Sequence, residues 1–224
     1  MMINFPLTVV NNFLDNPEEI RKWALSLPYE KSEEGNWPGE RTSPLHQIDQ
    51  NFFDIVSGKI LSLFFEIQPF QYAPNVEYVT SMHFQKINDS FKKGLVHLDR
   101  TSLLTGILYL NKDGNIDSGT SLFKPKTLQS SYFPSSQESE KRSYYLSENK
   151  DGLDNLIVDN RDHFYETERI AGIFNRLVLF EGNQHHAAND FNSFDEDRLT
   201  LVVFFRNIKS SMCPISRSKF ITTH

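Results

Sequence analysis

Two ionisable side chains, His97 and Asp99, head an otherwise apolar run, GLVHLDRTSLLTGILYLN at 94–111. In an extended chain successive side chains alternate between faces, so residues two apart point the same way and this pair forms a two-pronged clamp. By itself the spacing is weak, since seven His and 29 acidic residues in 224 positions give roughly one such pair by chance, and a surface pair on a half-buried strand explains it as well. Farther along, NRLVLFEGNQHHAANDF brings His185 and His186 after a strand and turn pattern, and DRLTLVVFF follows with Arg198 and Thr200 on one face. Two neutral imidazoles and one carboxylate can occupy one face of an octahedron around Fe(II) and leave three positions open. The metal then keeps net positive charge and favours an anionic co-substrate, whose carboxylate a guanidinium such as that of Arg198 can grip with two parallel hydrogen bonds.

The elements that must position these groups are legible from periodicity. In NPEEIRKWALSL (16–27), Asn16 can cap a helix, Pro17 suits its first position, and Glu18 and Glu19 complement its dipole. Ile20, Trp23, Ala24 and Leu27 form its apolar face. A second helix is predicted at about 49–67, with a stripe of Phe52, Ile55, Val56, Ile60, Leu63 and Phe64. From about residue 76 short strands follow: VEYVTSMHFQKI, VHLD leading into LLTGILYLN, GTSLFK, HFYETERIAGI, NRLVLFEG, QHHAA and DRLTLVVFFRNI. Residues 124–162 read as a polar, irregular insertion or lid. Two helices followed by about eight strands predict an α+β chain, mainly β, dominated by a double-sheet jelly roll or barrel. The expected organisation is one domain over 1–224: an N-terminal helical layer at 1–75, a β core at 76–208 carrying the insertion, and a tail at 209–224.

Bulk properties narrow the class. The chain is 38% hydrophobic and 13% aromatic, with 19 Phe, enough for a sizeable core. A net charge of −6 argues against a nucleic-acid partner. Cys213 is the only cysteine, which excludes an intrachain disulfide and fits a reducing cytoplasm. The N-terminus lacks the pattern of a signal peptide, and no apolar stretch approaches the roughly 20 residues needed to span a bilayer, so a soluble cytoplasmic protein is expected. There is no H-E-x-x-H, cysteine cluster, G-x-S-x-G, P-loop or dinucleotide glycine pattern.

Taken in order, VHLD (96–99), YLN (109–111), SGTSLF (118–123), NRLVLF (175–180), HHAA (185–188) and DRLT (197–200) make the chain similar to the Fe(II)/2-oxoglutarate-dependent oxygenase superfamily, and most to its prolyl-4-hydroxylase-like members. NNFLDNPEEIRKWALSLP and WPGERT also resemble that group. The resemblance implies a double-stranded β-helix, a cupin-like jelly roll, backed by N-terminal helices. It implies His97 and Asp99, on the second strand of the roll, as the first two iron ligands, with the third from His186 or, as the alternative, His185. His186 is favoured because a small residue, Ala187, follows it. Arg198 would bind the distal carboxylate of 2-oxoglutarate, Thr200 would add a hydroxyl, and Tyr109 is either a phenol donor to that carboxylate or a core tyrosine.

The implied activity is hydroxylation of a protein side chain or small molecule by a dioxygenase using Fe(II), 2-oxoglutarate and O2, with release of succinate and CO2 and with ascorbate as a supporting reductant. Among other residues, His83 is either a pocket wall or a satisfied sheet histidine, Asn175 and Arg176 are structural, and Arg100 is solvated. Arg41 matches a family position without a role, Trp37 and Pro38 brace their loop, and Tyr144 and Tyr145 are lid candidates. The competing class is a non-catalytic cupin-like metal-binding or interaction module, which has no need of Arg198 and Thr200. The motifs do not encode the prime substrate or the oligomeric state.

Overall fold

Helix-start chemistry at the N-terminus gives α1 at Pro17–Ser26, with Pro in the first turn beside Glu18 and Glu19. Asn16 caps through its backbone only: its carbonyl accepts from Ile20 N at 3.2 Å, and its side chain makes no capping bond. Ala24 is fully buried, and Ile20, Trp23 and Leu27 pack against the core. These relations come from a computed structural model that describes residues 5–65, 76–127, 135–147, 154–191 and 196–210.

The second predicted helix forms as α3 at Gln50–Leu61, shorter than expected and capped by the Asp49 side chain, which accepts from Phe52 N at 2.9 Å; a short helix the sequence reading lacked, α2 at Leu45–Ile48, precedes it. The buried face of α3 differs from the expected stripe. Phe53, Val56, Ser57 and Ile60 point inward, whereas Ile55 is 58% exposed. That i, i+3, i+4, i+7 set holds a small serine at the contact, and the exposed isoleucine falls on the opposite side.

The described residues include ten strands: β1 Thr8–Val10, β2 Glu30–Lys31, β3 Glu40–Arg41, β4 Val76–Ile87, β5 Leu104–Tyr109, β6 Thr120–Pro125, β7 Phe164–Ile170, β8 Leu177–Glu181, β9 His185–Ala188 and β10 Arg198–Ser210. They form two antiparallel sheets, one of seven strands in the order β1-β8-β5-β10-β4-β3-β2 and one of three in the order β7-β6-β9. The molecule is mainly β with few helices. β1, β2 and β3 escaped the sequence reading because two or three residues cannot express a period of two.

On the large sheet that period sorts side chains cleanly. Phe84, Leu104, Leu108, Leu177, Leu179, Leu201, Val203 and Phe205 enter the main core together with the helices. Their alternates, among them His83, Gln85, Thr105, Val202 and Phe204, face a cavity that the small sheet closes with Thr120, His186 and Ala188.

The segment read as irregular at 124–162 contains two helices, α4 at Ser135–Leu146 and α5 at Asp154–Asp162, while β6 continues to Pro125. Polar composition conceals α4, but Tyr144 and Tyr145 anchor it in a satellite cluster with Ile87, Phe91, Leu95, Ile157 and Phe191. Of the predicted tail only Lys209 and Ser210 are described, and both continue β10; Cys213 lies outside the described residues. Among the described residues no helix is long and apolar enough to cross a membrane.

Candidate metal centre

His97 and Asp99 do not lie on a regular strand, contrary to the sequence expectation. His97 forms a single antiparallel bridge with His186: each backbone N–H donates to the other's carbonyl at 3.0 Å. Asp99 lies just beyond the bridge, its N–H donating to Gly182 O and its carbonyl accepting from Ser102 N, both at 2.8 Å. The apolar alternation that suggested a strand begins only at Leu104. Gly182 permits the approach, since a Cβ there would stand 2.6 Å from Asp99 O and 2.0 Å from Ser102 O.

The bridge and turn bring His97, Asp99 and His186 together with candidate ligand atoms all within 4.8 Å of one another. His97 Nε2 is 3.7 Å from Asp99 Oδ1, and His186 Nε2 is 3.4 Å from Asp99 Oδ2. Each ring is fixed from behind, with Nδ1 at 2.8 Å from Leu95 O for His97 and 2.9 Å from Gln184 O for His186. A carbonyl can only accept, so Nδ1 carries the proton and Nε2 presents its lone pair to the centre. Thr105 Oγ1 donates to Asp99 Oδ2 at 2.8 Å.

Burial, then Lys141 and His186, hold His97 well below the usual imidazole range. Burial opposes ionisation of Asp99, but His186, His97, the Thr105 bond and Lys141 outweigh it and keep the carboxyl below its ordinary range. A neutral imidazole and an ionised carboxylate are the states a metal requires. His185 lies outside this trio. It is buried, with its ring centroid 4.9 Å from that of Phe164, and its Nε2 has no partner.

Arg198, which lines the same cavity, begins β10 and is buried at 4% exposure. Its Nε lies 3.5 Å from Ser118 O, and its Nη2 is buried without a partner. Burial lowers its pKa, yet a guanidinium stays charged. Thr200, in register between Gln85 of β4 and Tyr109 of β5, also has a buried, partnerless hydroxyl. Tyr109 donates its phenol to Thr120 Oγ1 at 2.7 Å, and it also meets Arg198, whose Cζ lies 5.5 Å from its ring centroid and whose charge its phenol oxygen favours.

The cavity has a volume of about 530 Å³, and its lining includes His97, Asp99, His186 and Arg198 together with Trp37, Arg41 and Phe204. His83 fits both sequence readings: it lines the cavity while its Nδ1 is held 2.9 Å from Thr42 O. Tyr145 lines the cavity too, whereas Tyr144 lies in the aromatic cluster behind it. Arg41 is half-buried, and desolvation pushes its pKa down to about 10 against the opposing pull of Asp99.

Asn175 and Arg176 are structural. Asn175 exchanges 2.8 Å bonds with the backbone of Leu14 in both directions, and Arg176 Nε donates to Asn11 Oδ1 at 2.7 Å. Arg100 is exposed. Sequence reasoning missed Thr105 and Lys141. Thr105 had a signal: it is the polar residue of LTGILY on the same parity as Tyr109.

Among solved structures the chain is similar to HygX from Streptomyces hygroscopicus with nickel, 2-oxoglutarate and hygromycin B bound, at TM-score 0.55 and 10% identity over 92% of this chain and 83% of that one. It is similar to a prolyl hydroxylase from Trichoplax adhaerens in complex with a hypoxia inducible factor peptide fragment, at TM-score 0.51 and 13% identity over 89% and 82%. It is also similar to SnoN, a non-heme alpha ketoglutarate dependent epimerase from nogalamycin biosynthesis, at TM-score 0.50 and 14% identity over 89% and 76%. At these identities the likeness is one of fold. No curated protein matches the chain. A sequence model described as "Family of unknown function (DUF6445)" matches residues 3–205, and with that span the chain belongs to the DUF6445 family.

Proposed function

We propose that this protein is a mononuclear Fe(II)- and 2-oxoglutarate-dependent oxygenase on a double-stranded β-helix, hydroxylating a small molecule or protein side chain. The observation that carries this reading is Arg198, a buried guanidinium with a partnerless Nη2, lining the same cavity as the trio of His97, Asp99 and His186. An uncompensated buried charge costs several kcal/mol, a cost offset once a carboxylate arrives. A bare metal-binding module has no use for such a group.

The residues fit the absent groups. Two imidazole Nε2 atoms and one ionised carboxylate match the facial donor set for ferrous iron. Arg198 and the free Thr200 hydroxyl fit the distal carboxylate of 2-oxoglutarate. When bound, iron, 2-oxoglutarate and O2 supply the oxidising chemistry, releasing succinate and CO2.

The protein's share is positional. The carbonyls of Leu95 and Gln184 fix the imidazole rings, and Thr105 orients Asp99. The rings of Tyr109 and Phe191, 5.5 and 5.7 Å from the Arg198 Cζ, flank the guanidinium and exclude water. HygX, SnoN and the prolyl hydroxylase resemble the chain to similar degrees, so fold does not single out the prolyl-4-hydroxylase-like group. A reducing cytoplasm suits both ferrous iron and the lone cysteine.

Adding Fe(II) and 2-oxoglutarate anaerobically should raise a weak visible band near roughly 500 nm, a charge-transfer feature of such facial sites. With O2 and ascorbate, slow succinate release should follow. Asp99→Ala should abolish both, and unchanged turnover in that variant refutes the assignment.

A further inference from the structure

We propose that the prime substrate is a small molecule bearing an anionic group, a carboxylate or a phosphate, and that Arg41 receives it in the cavity that the His97, Asp99 and His186 trio also lines. The inference rests on the assignment of Arg198 to 2-oxoglutarate, which leaves Arg41 for a second acid.

Arg41 is built into place. The turn before it lies against the edge of β4, where Gly39 adopts φ 68° and a Cβ would stand 2.1 Å from Lys86 O. β3 then pairs Arg41 with Gln85. Gln85 Nε2 donates to Pro38 O at 2.7 Å, which turns its Oε1 toward Arg41 Nη2 at 3.1 Å. The guanidinium lies 4.7 Å from the Trp37 ring centroid and 5.3 Å from that of Phe204. Its Nε is buried without a partner, and it makes no ion pair among the described residues. A held, desolvated fork of this kind is suited to a carboxylate or phosphate.

The rest of the wall agrees. The chain has more acidic than basic residues, 29 against 23. Among the described residues that line the cavity the balance is reversed, with Arg41, Arg198 and Arg206 against Asp99 as the one carboxylate. With Asp99 on the metal and Arg198 on the co-substrate, Arg41 and Arg206 remain among the described lining residues, and their charge repels amines and attracts acids. Its size, about 530 Å³, falls in the range of small-molecule sites, about 300–1,000 Å³.

The test uses Trp37 as reporter. The chain has two tryptophans, so Trp23→Phe leaves Trp37 alone beside Arg41. In the metal-free protein, fluorescence is titrated with benzoate against benzamide and with phenyl phosphate against phenol. Saturable quenching by an acid, at least tenfold tighter than by its neutral mate, is expected, and the tighter of the two acids identifies the substrate's group. Arg41→Met should weaken it tenfold or more, Arg41→Lys less, and Arg198→Met under twofold.

No response to either acid, or equal responses to acid and neutral mates, overturns the proposal. Loss in Arg198→Met as large as in Arg41→Met also overturns it, because the acid is then in the co-substrate subsite. If Arg41→Met does not fold, Arg41→Lys and the acid-to-neutral comparison decide. The titration needs neither iron nor turnover, so failure of the oxygenase reading shows in the succinate assay and failure of this one in the fluorescence.

Discussion

The two faces of the seven-stranded sheet are made by the same strands and meet different surroundings. Toward the helices, Phe84, Leu201, Val203 and Phe205 are fully buried in a continuous apolar layer. One residue out of phase, Gln85, Thr105, Arg198 and Thr200 are also buried, but this face carries hydrogen-bonding groups, and Arg198 Nη2 and Thr200 Oγ1 lack partners. The first face stabilises the fold by removing apolar area from water. The second is left incomplete in a way that an anionic ligand would complete. A period of two thus lets one strand such as β10 serve stability and chemistry without compromise between them.

The division can be broken face by face. On the core face, Phe84→Ala should cost about 3–5 kcal/mol and lower the melting temperature by on the order of 10 °C, read by thermal and urea denaturation, with 2-oxoglutarate affinity unchanged below the transition. On the cavity face, Arg198→Met should leave stability unchanged or raise it, because it removes a buried, unpaired charge. Its 2-oxoglutarate affinity should fall by about 2 kcal/mol or more, roughly 30-fold, by calorimetric titration. If Arg198→Met destabilises as Phe84→Ala does, the two faces are not divided as described. Thr200→Val sharpens the contrast: a loss of about 0.5–1.5 kcal/mol in co-substrate binding, read by the same titration, with no loss of melting temperature.

How much of this was legible in the chain depends on how far each feature is local. The alternation in VEYVTSMHFQKI and DRLTLVVFFRNI is local, and both strands form where the pattern places them. The spacing of His97 and Asp99 marked a clamp, but the bridge to His186 is a long-range pairing that no local period encodes. The helices within 124–162 were hidden for a related reason: α4 is polar along its length and stands on Tyr144 and Tyr145, whose partners Phe91 and Phe191 come from other segments. Arg41 was noticed by resemblance alone, and its place beside Gln85 follows from a strand pairing too short to leave a pattern.

The backbone exchange between His97 and His186 also bears on when the proposed metal site can form. A chain still emerging during synthesis has only two of the three proposed donors, His97 and Asp99, and the second imidazole joins them only through the long-range pairing with β9. Until that closure, two donors on a mobile segment compete poorly for a divalent ion. On the proposed reading, loading of a metal would therefore follow completion of the β architecture.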